Sequence, residues 1–161
     1  MMVLGTLRLA PCLWRSAADG RPPTSEKDTA LTFHTDIQVR FADTDALGHV
    51  NNGSFVVYAE TARLEFAKAL LGSGFRALIL AHVAVDFRRQ VVFGQSVSVD
   101  TWVESIGRTS VTIRQIVRAN GETAAEIKSV VVSFDYTAQR STPWTSEAMA
   151  AFAEYATYSS A

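Results

Sequence analysis

Between Phe55 and Leu71 the chain carries one long helical pattern, and nearly everything after it alternates with period two. In the helical stretch Phe55, Val56, Ala59, Ala62, Leu64, Phe66, Ala67, Leu70 and Leu71 are apolar. Their three-and-four spacing covers a wide arc, so this helix needs cover on much of its circumference. Gly72-Ser73-Gly74 supplies its stop signal. Before it, Phe33, Thr35, Ile37, Val39 and Phe41 alternate with polar residues, which predicts a strand with one buried face. After it, alternating rows lie at Val83-Val85-Phe87, Val97–Val103, Val111–Val117 and Ile127–Tyr136, with a hairpin signal at Asn120-Gly121. Thr145 or Ser146 caps a short terminal helix running to Ala156. One apolar helix among five strands is covered most simply by a single curved antiparallel sheet wrapped around it, an α+β architecture.

At 161 residues the chain reads as one domain, and 48% apolar content is enough for a core without disulfide or metal staples. Residues 1–30 read as a flexible N-terminal extension, with the 20–25 stretch as a linker and a targeting peptide as the rival reading. Residues 31–140 form the expected domain, and 141–161 a C-terminal tail with its short helix. Cys12 is the single cysteine, so no intrachain disulfide forms, and a reducing, cytoplasmic setting fits. The net charge of -1 argues against a general nucleic-acid binder, and no apolar run is long enough for a membrane span.

Nucleophile elbows, phosphate loops, dinucleotide fingerprints and zinc motifs are all missing from the sequence. His34, His49 and His82 lack metal-ligand spacing, so no metal and no cofactor is expected. What remains is Arg40–Gly53, between the first strand and the start of the helix. A helix start offers free N–H groups and a positive dipole end, which stabilise an oxyanion forming on a carbonyl. A carboxylate beside them activates water or attacks the carbonyl itself. On pattern alone, Asp43-Thr44-Asp45 reads more readily as capping and turn chemistry. Glu60 and Arg63, three apart, read as a surface or dimer-interface ion pair, and Arg88-Arg89 as a solvated strand end.

The stretch Val39-Arg40-Phe41-Ala42-Asp43-Thr44-Asp45-Ala46-Leu47-Gly48-His49-Val50-Asn51-Asn52 resembles the 4-hydroxybenzoyl-CoA thioesterase-like family of hotdog-fold acyl-CoA thioesterases. Tyr58–Phe66, Asp86-Phe87-Arg88-Arg89, Phe93-Gly94 and Gly107–Ser110 extend the likeness in order over about residues 33–136. The resemblance implies a hotdog fold and a homodimer or homotetramer with active sites at the dimer interface. It implies Asp45 as nucleophile or general base. It implies the Asn52 N–H as the group polarising the thioester carbonyl. Gly48 is then the turn that lets the loop approach the ligand, His49 and Asn51 line the site, and Asp43 is structural. Gln90 and Gln95 depart from the family's usual proline and aspartate, and Gly53 and Ser54 are small where many relatives are bulkier.

The expected activity is hydrolysis of an acyl-CoA thioester, with Arg88, Arg89 and Arg108 as candidate contacts for the CoA diphosphate. The rivals are a thioesterase acting on acyl-carrier protein and a non-catalytic acyl-CoA-binding hotdog protein.

Overall fold

Val97, Val99, Thr101 and Val103 point to one side of a single strand, and that row decides where the helix lies. The computed structural model describes residues 31–157. The expected extension at 1–30, with Cys12, lies outside the described residues. The elements are β1 (Phe33–Ile37), α1 (Asn52–Leu71), β2 (Leu78–Phe87), β3 (Val97–Ile106), β4 (Ser110–Ala119), β5 (Glu122–Asp135), β6 (Arg140–Ser141) and α2 (Ser146–Ala153). Short 3-10 turns occupy Phe41–Asp43 and Gly72–Ala77.

The strands form one antiparallel sheet in the order β1-β3-β4-β5-β2, with β6 paired to the end of β5. The register aligns the inward rows: Val99 faces Val117, Thr101 faces Gln115, and Gln115 faces Ile127. Against them α1 lays Phe55, Ala59, Ala62 and Phe66, all buried. The alanines let the helix sit close to the β-branched rows, so the sheet curls around it in the hotdog arrangement. Thr145 caps α2 by accepting from the Ala148 N–H at 3.2 Å. Phe152 of α2 and Trp144 ahead of it are buried, packed edge-on at 5.1 Å against each other over the C-terminal half of α1.

Several boundaries differ from the sequence reading. β1 stops at Ile37, because the Arg40–Asp43 contact folds the chain into a 3-10 turn. Phe41, expected in the buried row, is therefore 79% exposed and stacks edge-on with Phe93. β5 starts at Glu122, since Asn120 and Gly121 both take positive φ and pair Ala119 directly with Glu122. α2 ends at Ala153. The buried arc of α1 is narrower than its apolar spacing suggests, with Val57 and Leu64 exposed.

Arg63 forms no ion pair with Glu60 inside the chain. It turns inward and is 6% exposed. Its Nη1 donates to Ser129 Oγ at 3.1 Å and to Gln115 Oε1 at 3.4 Å, while the Gln115 amide donates to the Ala59 carbonyl at 2.9 Å. Burial pulls the Arg63 guanidinium below its ordinary value, and nearby Glu60 opposes this.

On the outer face His34 sits between Asp100 (2.9 Å) and Asp36 (3.3 Å). The hydrogen bond to Asp100 raises its pKa from 6.5, partial burial opposes this, and Asp36 adds to the rise. A raised folded-state pKa gives stability that is complete below pH 6.5 and lost as pH rises through the folded value. The melting temperature of the wild type should therefore fall relative to His34→Gln between about pH 6 and 8. The difference should be small, because the ring is half exposed.

Candidate active site

The loop between β1 and α1 is held from below by one buried carboxylate. Asp43, 5% exposed, accepts the Arg40 N–H at 2.8 Å, the Arg40 guanidinium at 2.9 Å and the Tyr58 hydroxyl at 3.0 Å. Its own carbonyl accepts the Asn51 N–H at 2.8 Å and the Ser54 hydroxyl at 3.0 Å. Burial works to raise the Asp43 carboxyl, but the bonds from Arg40 and Tyr58 prevail and hold it below its ordinary value. Burial and the bond to Asp43 push the Tyr58 phenol well above its usual range. The loop is thus fastened to the first two turns of α1.

Above this anchor the chain makes a tight reversal. Thr44 bridges Val50, and the Asp45 N–H donates to the His49 carbonyl at 2.8 Å. Gly48 takes φ +78 at the turn, a conformation that favours glycine. Asp45 Oδ1 accepts the N–H groups of Leu47 at 2.9 Å and His49 at 3.2 Å. The turn-forming role expected from the bare pattern is therefore present. It uses one oxygen only, and Oδ2 has no partner among the described residues.

Asn51 is the N-cap of α1: its side chain accepts from the Gly53 N–H at 2.8 Å, and its carbonyl accepts from the Ser54 N–H at 2.9 Å. These bonds occupy the neighbouring donors and leave the Asn52 N–H, the first of the helix, without an acceptor among the described residues. A free donor at the positive end of a 20-residue helix suits a developing negative charge.

Asp45 and Asn52 line the same open cleft, of about 300 Å³, together with His49, Val50, Phe55, Phe87, Arg88, Arg89 and Gln90. Phe55 and Phe87 meet edge-to-face at 5.3 Å and form its apolar side. Of the residues expected at the site, the structure brings Asp45, His49, Asn52, Arg88 and Arg89 together. Gly48 shapes the turn beside the cleft, and Asn51 is committed to the cap. Arg108 lies at the β3–β4 turn, at the other end of its own sheet, where its carbonyl accepts from the Trp144 N–H at 3.0 Å. Sequence reasoning missed Phe55, Phe87 and Gln90 as walls, and Tyr58 as the anchor of Asp43. The spacing of Asn51, Ser54 and Tyr58 along one helix face was the available signal for that anchor.

Arg88 donates to Glu126 at 3.2 Å, and Arg89 is ion-paired with Glu122. Both cations thus border the cleft in exchangeable surface pairs. Another cavity, of about 320 Å³, lies at the opposite end of α1 between Leu71, Leu78 and Trp144; it is mostly apolar and includes neither Asp45 nor the start of α1. Among the described residues no cluster of three or more His, Cys, Asp or Glu is placed to hold a metal. Nor is any described helix long and apolar enough to cross a membrane.

Residues 39–152 match the model of the thioesterase-like superfamily. A predicted thioesterase from Bacillus stearothermophilus is 32% identical, with 78% of this chain and 97% of that one covered and a TM-score of 0.74. A thioesterase from Thermus thermophilus, complexed with coenzyme A and Zn, is 30% identical over 74% and 90% of the two chains, with a TM-score of 0.69. An uncharacterised Bacillus subtilis protein, YsmA, is 26% identical over 129 residues, or 78% of this chain and 88% of that one. With a free helix-start donor and a carboxylate on one cleft, and this match over most of its length, the chain belongs to the thioesterase-like superfamily, a family of thioester hydrolases with the hotdog fold.

Proposed function

We propose that the protein hydrolyses acyl-CoA thioesters, with Asp45 and the Asn52 N–H as its catalytic groups. The observation that carries this is the meeting, on one cleft wall, of an unpartnered carboxylate oxygen and an unused helix-start N–H. The thioester carbonyl oxygen accepts from Asn52. Asp45 takes a proton from water as the water oxygen attacks the carbonyl carbon. The tetrahedral oxyanion then collapses, the C–S bond breaks, and the proton leaves with the CoA sulfur. In the nucleophilic variant of this scheme Asp45 itself attacks and water cleaves the resulting anhydride. Both routes need the same two groups and no further reactant.

The coenzyme A held by the Thermus thermophilus relative supports CoA as the carrier. Arg88 and Arg89 suit its diphosphate, each exchanging a carboxylate partner for a phosphate. Arg108 is too remote in its own chain to join them. Replacing both Arg88 and Arg89 with alanine should raise KM for acyl-CoA roughly tenfold and leave kcat within about twofold. We further place the protein in the cytoplasm as a homodimer, joined along β2. That strand is ten residues long, lies at a sheet edge and has no Lys, Arg or Pro to guard it.

The test is a comparison of initial rates on matched acyl-CoA and acyl-carrier-protein substrates. Faster turnover of the CoA ester supports the reading, and turnover of the carrier-protein ester alone overturns it.

A further inference from the structure

Arg63 is a cation set in the core with no acid bonded to it, although Glu60 of its own helix stands near enough to favour its charge. It is 6% exposed, its bonded partners are the neutral Gln115 and Ser129, and it forms no ion pair among the described residues. A buried charge of this kind is costly unless an anion completes it. Arg63 is not sealed in, because it forms part of the wall of a cavity of about 100 Å³ that also takes in Glu60, Leu64 and Leu80. These last three are exposed, although two of them are leucines.

The position of Arg63 along the sheet is fixed by its own bond. Ser129, which accepts from it, is the register partner of Val83. Val83 stands at the middle of β2, which runs from Leu78 to Phe87. Two β2 strands joined antiparallel over their full length have their two-fold axis at His82/Val83. Arg63 of each protomer therefore lies beside that axis. Glu60 lies one turn before Arg63 on the same helix, about 4.5 Å away in rise. A two-fold interface must be self-complementary, and a surface carrying one acid and one base a turn apart satisfies that condition.

We infer that a second copy of this chain completes the Arg63 site, its Glu60 entering the cavity beside Arg63 while the first protomer's Glu60 does the same in return. This rests on the homodimer proposed above and names the contact that sets its register. Leu64 and Leu80 then supply apolar surround to the pair, which excludes water and strengthens it. A reciprocal ion pair at the axis also disfavours a slipped β2–β2 pairing, since any shift along the strands separates both pairs at once.

Sedimentation equilibrium on the full chain tests this. The wild type is expected to be dimeric. Glu60→Arg places a cation against Arg63 and should raise the dissociation constant roughly thirtyfold or more. Glu60 is exposed, so this variant should keep the wild-type circular dichroism spectrum. Combining Glu60→Arg with Arg63→Glu should restore most of the lost association. A wild-type dimer with Glu60→Arg equally dimeric overturns the Glu60–Arg63 contact and leaves the homodimer standing. A monomeric wild type at tens of micromolar overturns the homodimer itself.

Discussion

Asp43→Ala should lower the melting temperature by about 10 °C, the largest loss of stability expected from any single change in the site loop. The carboxylate it removes accepts from Arg40 twice over and from Tyr58, whose hydroxyl is buried with it. Leaving that hydroxyl unpaired costs about 1–3 kcal/mol, and each charge-assisted bond contributes on a similar scale. Because Arg40 is largely exposed, its share is discounted, and a total of about 3 kcal/mol is reasonable. For a domain of this size that corresponds to roughly 10 °C. The same carboxylate gives a pH signature. Its folded pKa is depressed below 3.8, so its contribution is complete above that value and is lost as pH falls through the lower folded value. Asp43→Asn should remove this acid sensitivity, so thermal melts of both proteins from pH 5 down to about pH 2 should converge at the acid end.

Asp45→Asn should reduce kcat roughly a thousandfold, within the range lost when a general base is removed. Asparagine is the informative substitution. Its side-chain oxygen still accepts the Leu47 and His49 N–H groups, so the reversal at Asp45–Gly48 survives. The carboxylate charge is the part that disappears. Asp45→Ala removes both, so a loss of kcat shared by the two variants, with melting temperature preserved in Asp45→Asn, assigns the effect to chemistry and not to loop collapse. KM should change little, because neither variant touches Arg88 or Arg89.

The valine rows of β3 and β4 and the Asn120-Gly121 hairpin were legible because period two and positive-φ residues are local signals. So was the neighbourhood of Asp45 and Asn52, since six residues and one tight reversal connect them. The end of β1 was not legible. Val39 and Phe41 continue the alternation, and the chain turns away where Asp43 is held both by Arg40 and by Tyr58, fifteen residues on. The direction of Arg63 was equally hidden. On helical spacing it pairs with Glu60, but its partners Gln115 and Ser129 come from strands more than 50 residues on. Phe87 and Gln90 reach the cleft from the end of β2, a placement set by sheet order, which no local pattern encodes.

The most direct test of the central claim is a single-turnover experiment with excess protein over an acyl-CoA, trapping free thiol while bound ester is followed in parallel. The expected result is stoichiometric thiol and carboxylic acid from the wild type, and from Asp45→Asn normal ester binding with almost no thiol. Thiol release by Asp45→Asn at close to the wild-type rate would contradict the assignment of that carboxylate to the chemistry.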